Sequence, residues 1–340
     1  MPVPYVKYYK LIMKKALYAS LLAVIFVSAC QESEESEQRQ EPEYTVSIMA
    51  RIGKTASEAR YQQGNEKDVA QFIKNDDIGV FMDNGDVVRW VFDETAWSTS
   101  KSVFWEDKDK THVFCAYYPY TNSEAPDKER IKMPSLNNQD GSWVNIAQYD
   151  FLVASKTLSY QDDNGNVAFV DDSSFKHVSS LLKINIKGEG DMAKAVIDKI
   201  TLKGKELMTQ TYYSFVTNDI IIEETPKETF SITPGHPMDS QDISYYFILN
   251  GTKTAENVDS KVVKGNPVNL IIEYTSNSKK YIAHREGLSS GLLSGRIYEY
   301  NILVKDRNVI ITGGSISGWT PGNEIEDIII NGEETTSLNE

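Results

Sequence analysis

The chain has 340 residues, 35 of them basic and 49 acidic, for a formal charge of −14, with two cysteines and four histidines. That acidic balance excludes nucleic acid as the main partner, because phosphate binding needs a basic face. Two cysteines cannot build a disulfide framework, and four scattered histidines do not read as a metal cage.

At 40% hydrophobic residues the chain can bury substantial cores, and its length predicts two domains rather than one. In chain order, the first element is an address. Lys7, Lys10, Lys14 and Lys15 precede an uncharged run from Ala16 to Ala29 that ends in small residues. This is the pattern of a secretory signal, too short for a membrane-spanning helix. Val27-Ser28-Ala29-Cys30 resembles the lipobox of bacterial lipoproteins, which implies that Cys30 is diacylated and becomes the first mature residue. Residues 1–29 hold four lysines and no acid, so their removal takes the charge from −14 to −18. Lipid on Cys30 would give a strong anchor, since each buried methylene contributes roughly 0.8 kcal/mol. Residues 30–43 follow as an acidic tether. Gln31–Glu43 carries no aliphatic or aromatic residue and cannot collapse.

From Tyr44 onward the pattern is all-β. Candidate strands are 44–52, 113–118, 151–154, 181–186, 195–202, 245–249, 268–274, 298–304 and 309–311, separated by polar turns. Asn-Gly, a strong hairpin signal, stands at 84–85, 164–165, 250–251 and 331–332, most clearly between Ile78–Met82 and Val87–Phe92. Residues 57–74 lack a period of two and read as a short helix or a loop. Gly188-Glu189-Gly190-Asp191 is the best candidate linker. It divides the body into an N-terminal sandwich over 44–188 and a C-terminal one over 189–340.

The search for chemistry finds little. His112, His177, His236 and His284 lie in four separate segments without metal-ligand spacing. Cys115 sits inside the apolar run Val113–Tyr118, where a thiol behaves as a small hydrophobe. Asp162-Asp163-Asn164-Gly165-Asn166 lacks the spacing of an EF-hand and reads better as a turn. Asp76-Asp77 and Asp171-Asp172 read as solvated loop acids, and no nucleophile elbow, P-loop or dinucleotide fingerprint is present. Neither a cofactor, nor a metal, nor an enzymatic activity is expected. Trp97 and Trp105 could stack on sugars, although burial in a sandwich is the more ordinary fate of an indole.

An ordered series of segments carries a resemblance. Ile78-Gly79-Val80-Phe81-Met82, Phe104-Trp105, Phe114-Cys115-Ala116-Tyr117-Tyr118-Pro119-Tyr120, Tyr149–Ala154 and Phe175-Lys176-His177 are followed by Leu181–Ile186, Tyr298–Ile302 and Ile316-Ser317-Gly318-Trp319. With the lipobox, the series resembles the fimbrillin (Mfa-like) family of type V pilus proteins over roughly residues 44–320. The resemblance implies two tandem transthyretin-like β-sandwiches exported as an outer-membrane lipoprotein, surface-exposed and incorporated into a fimbrium. It also implies a first strand removed by a protease that cuts after arginine or lysine, and a vacated groove filled by a neighbour's strand.

Transferred to this chain, residues 44–52 are the removable strand, with Val46, Ile48 and Ala50 on one face and Thr45, Ser47 and Met49 on the other. Arg51 and Arg60 are the candidate cleavage sites. Ile325, Ile328, Ile329 and Ile330 mark a candidate donor strand, which reads equally well as the last strand of the second sandwich. The expected partners are other pilus subunits, the outer membrane through Cys30, and a host or bacterial surface ligand. The alternative is a glycan-binding surface lipoprotein that never polymerises.

Overall fold

A computed structural model describes residues 44–52, 71–121, 126–205, 207–208, 210–222, 228–238, 243–251, 267–289, 292–305, 308–318, 324–325, 328–331 and 333–334. Cys30, the acidic tether and Arg60 lie outside them. The N-terminal strands are β1 (Ser47–Ala50), β2 (Asp77–Met82), β3 (Val88–Phe92), β4 (Trp97–Ser98), β5 (Thr111–Tyr118), β6 (Ile131–Lys132), β7 (Leu152–Ser159), β8 (Asn166–Phe169) and β9 (Lys176–His177). Next come β10 (Ser180–Gly188), β11 (Val196–Lys203), β12 (Thr211–Ser214), β13 (Asp219–Ile222), β14 (Thr229–Ile232), β15 (His236–Pro237), β16 (Ile243–Leu249), β17 (Val268–Ser276) and β18 (Lys279–Ser289). The chain closes with β19 (Arg296–Lys305), β20 (Asn308–Gly318), β21 (Glu324–Ile325), β22 (Ile328–Asn331) and β23 (Glu333–Glu334). Helix among the described residues is confined to short 3₁₀ turns, and none is long and apolar enough to cross a membrane.

The fold is two tandem β-sandwiches. In the first, a sheet of order β4-β3-β2-β5-β7-β9 faces a small layer in which β1 pairs in parallel with β8. Ile78–Phe81 of β2 and Phe114–Tyr117 of β5 are buried without a break, and these continuous apolar runs follow from cover on both faces. Ile78, Val80, Phe114 and Ala116 point into the core shared with β1 and β8, whereas Phe81, Cys115 and Tyr117 point into a second core on the opposite face. The second sandwich packs the sheet β16-β10-β19-β20, with β21 and β22 along β20, against β14-β11-β17-β18-β23, with β15 beside β11. Between them lies the largest core, which includes Ile184, Ile200, Phe247, Tyr274 and Tyr300.

Each half lends a segment to the other. Leu136, Ile146 and Tyr149, which lie between β6 and β7, belong to the core of the second sandwich. There the 139–141 segment seals the edge of β16: Tyr246 N–H donates to Gly141 O (2.9 Å), and Ile248 N–H to Gln139 Oε1 (2.7 Å). The Gln139 amide returns a bond to Ile248 O at 2.8 Å, so one side chain satisfies an edge peptide as a strand would. In exchange, the hairpin β12–β13 pairs with β6 and covers the outer face of the first sheet with Tyr213, Phe215 and Ile220.

This exchange relocates the expected boundary. β10 lies before residue 189, yet it pairs with β16 and β19 in the second sandwich. Gly188–Asp191 is therefore a tight connection between β10 and β11 rather than a linker. A Cβ on Gly188 would stand 2.5 Å from Met192 O, and Gly190 takes φ +62°. These glycines serve close backbone approach and a left-handed turn, which sequence alone cannot distinguish from flexibility.

The groove of the first strand

Residues 44–52 alternate as a half-buried strand must. Val46, Ile48 and Ile52 are buried at 7%, 7% and 5% exposure, while Thr45, Ser47, Met49 and Arg51 are exposed. Ala50 is half-buried, completing the inward face. The segment is held along both edges. On one side Ser47 N–H donates to Gly165 O (3.2 Å), Arg51 N–H to Phe169 O (2.9 Å) and Phe175 N–H to Arg51 O (2.9 Å). On the other, Val46 N–H donates to Val103 O and Trp105 N–H to Tyr44 O, both at 2.8 Å. Beside it in the same layer stand Val167, Phe169 and Phe175, the partners of Ile48, Ala50 and Ile52, each fully buried in the same core cluster.

The start of the segment is clamped by aromatic rings. Tyr44 meets Tyr160 edge-on at 4.9 Å, and Lys108 Nζ donates to the Tyr44 hydroxyl at 2.9 Å. Trp105, only 4% exposed, donates Nε1–H to Gly165 O at 3.2 Å and stands edge-on to His112 at 5.6 Å. Gly165 takes φ +83°, and a Cβ there would come within 2.6 Å of the Tyr160 ring and 3.1 Å of Thr45 O. Only glycine fits both the conformation and the space.

His112 is 4% exposed, and both ring nitrogens face acceptors: Nδ1 to Asp83 Oδ2 at 2.5 Å and Nε2 to Asp107 O at 2.9 Å. Two acceptors favour the doubly protonated imidazolium. Burial works against that charge, but the bonds to Asp83 and to the Asp107 carbonyl outweigh it and raise the pKa above the usual imidazole range. For Asp83, burial is likewise opposed and outweighed, by the Val113 N–H and by His112, and its carboxyl falls below the usual range.

The other candidate residues are placed as follows. Trp97 and Trp105 both lie in the first core, at 8% and 4% exposure, and offer no stacking platform. His177 pairs with the buried Asp150 (2.7 Å), while His236 and His284 are exposed on β15 and β18. Among the described residues no group of three His, Cys, Asp or Glu could hold a metal. Cys115 is a buried free thiol whose pKa is raised by burial. The segment 162–166 forms the turn into β8, with Asn164 at φ +48° and Gly165 at φ +83°. Arg51 is exposed, but its N–H and carbonyl are both bonded.

The family model for fimbrillin-like proteins matches residues 64–319. The chain belongs to the fimbrillin-like family. No curated protein matches it. Among solved structures, it is similar to a candidate cell adhesion protein from Bacteroides ovatus. That match has 15% identity and a TM-score of 0.56, covering 86% of this chain and 98% of the other. A second, from Bacteroides uniformis, matches at 17% identity and TM-score 0.53, covering 81% and 99%. At such identities the likeness concerns the fold. Membership of a fimbrial family points to a structural, cell-surface role.

In this fimbrillin-like chain the C-terminal segment is folded onto its own second sandwich. Ile325 in β21 pairs with Gly314 of β20, and Ile328, Ile329 and Ile330 in β22 pair with Ile311, Ile310 and Val309. The chain then crosses to the other sheet, where Glu333 and Glu334 pair with Ile282 and Tyr281 of β18. The candidate donor thus also occupies the place of a terminal strand.

Proposed function

We propose that the chain is a fimbrial subunit or accessory pilin serving cell adhesion, anchored in the outer membrane through lipid on Cys30 until a protease frees it for assembly by strand exchange. The observation that carries this reading is the first strand. Residues 44–52 insert three buried aliphatic side chains into the first sandwich and, among the described residues, share its smaller layer with β8. Their departure leaves an apolar groove flanked by unpaired backbone groups of Val103, Gly165, Phe169 and Phe175. Another extended strand satisfies such a groove through main-chain bonds and alternate side chains.

Of the two candidate cleavage sites, Arg60 is favoured. The peptide groups at Arg51 are locked into the groove, and the following Ile52 is buried, whereas proteases bind accessible, extended backbone. Ile325, Ile328, Ile329 and Ile330 remain the donor candidate, and donation requires them to leave β20. The test is the N-terminal residue of the protein in SDS-resistant fibre fractions from intact cells. Tyr61 in those fractions, lost in Arg60→Ala cells, supports the proposal. Fibres carrying only chains that begin at Cys30 overturn it.

A further inference from the structure

If the groove accepts a neighbour's strand, as proposed above, its walls also state which strand fits. Four inward positions are read, those of Val46, Ile48, Ala50 and Ile52, three of them at 7% exposure or less. The far end, where Ile52 bridges to Phe175, is walled by rings. Phe175 meets Phe72 edge-on at 5.2 Å and Phe169 at 5.8 Å. A carboxylate placed at Ile52 would lose its water among phenyl groups, the costliest exchange a side chain can make.

The chain's own C-terminal segment cannot avoid turning a carboxylate inward at one of these four positions. Over residues 324–340, every set of four alternate positions contains at least one Asp or Glu, whichever direction the strand runs. The best match sets Ile328, Ile330 and Gly332 on Val46, Ile48 and Ala50, and it brings Glu334 onto Ile52. Sliding the register by two brings Glu326 to the position of Val46, and sliding by one brings Asp327 or Glu333 inward.

We infer that this groove takes its strand from an unlike chain, one carrying aliphatic, aliphatic, small and aliphatic residues at alternate positions, and not from the C-terminus of a second copy. The subunit then stands between unlike neighbours rather than in a run of its own kind, and its acidic tail serves a different acceptor.

The test uses the full chain with a specific protease site inserted after Ile52, so that the first strand can be nicked and exchanged without being removed. Fluorescein-labelled peptides are added and their uptake is followed by anisotropy. A peptide of residues 44–52 should enter. A peptide of residues 324–334 should enter about 100-fold less well or worse, and its Glu334→Ile form should recover most of the loss. Uptake of the unchanged tail peptide on a par with residues 44–52 overturns the inference while leaving the groove reading intact. Failure of both peptides, with the nicked strand remaining bound, overturns the groove reading and this inference together.

Discussion

The substitution Ile48→Ala tests whether the first strand is part of the core. Ile48 is 7% exposed, inward-facing, and paired at the Cα level with the fully buried Val167. The change removes three carbons, about 2.4 kcal/mol at roughly 0.8 kcal/mol per buried methylene. A residual cavity adds to this, because β8 is tied to β1 and cannot collapse into the space, so the total is about 3 kcal/mol. Met49, the next residue, points outward at 45% exposure, and Met49→Ala should cost less than about 0.5 kcal/mol. Urea unfolding of the full chain, followed by tryptophan fluorescence, measures both; Trp105 lies against the strand and reports its loss. The expected result is a lower midpoint for Ile48→Ala at unchanged slope, with Met49→Ala close to wild type. Equal midpoints for the two variants would show that the strand is not seated with Ile48 inward, and the groove argument would fall with it.

Raising the pH should loosen the same region through His112. Its folded pKa lies above the unfolded value, so its contribution is full below about pH 6.5 and is lost as pH rises through the raised folded value. The wild-type urea midpoint should therefore fall over that window more than that of His112→Gln; parallel pH profiles would contradict the assignment. Asp83 works in the opposite sense, its contribution being present above about pH 4 and lost as pH falls through its lowered value. Gly165→Ala forces a side chain onto φ +83° and into the Tyr160 ring. It should cost about 2 kcal/mol and speed hydrogen exchange at Val46 and Ser47 ahead of the second sandwich; protection unchanged at those amides would refute it. Gln139→Ala leaves the N–H of Ile248 on a sealed edge without its partner, at a cost of about 1–3 kcal/mol. Loss should appear in the second sandwich although the residue precedes β7, and a stability change confined to the first sandwich would contradict the exchange of segments.

Much of the strand content was legible in the sequence, because apolar runs bounded by polar turns report burial directly. Every strand expected from such a run is present within a few residues. Strands with a weaker apolar signal were not legible. β18 carries Lys279, Lys280, His284, Arg285 and Glu286 among its apolar residues, and it is a strand because Tyr274 and its neighbours in β17 supply a ladder for it. Turn chemistry misled in a specific way. Among the described residues, Asn84-Gly85 joins two strands that pair with each other. Asn164-Gly165 has the left-handed dihedrals of a hairpin turn, yet β7 stays with β5 while β8 crosses the core to β1. The tight hairpin between β17 and β18 uses Asn277-Ser278, with φ of +50° and +63°. A dipeptide fixes how the chain turns; which strands then pair depends on where the nearest unsatisfied edge lies.

The acidic charge, the all-β class and the alternation of residues 44–52 are determined locally, by composition and by a period of two. Tertiary structure decided the rest. That β1 lies parallel to β8, that Leu136 and Gln139 serve the second sandwich, and that Tyr213 serves the first all depend on contacts between residues far apart in the chain, with 119 positions between Ser47 and Asn166 and 109 between Gln139 and Ile248. No local signal encodes such pairings, because they are chosen by which exposed edge and which apolar face remain to be covered once the nearer strands have paired.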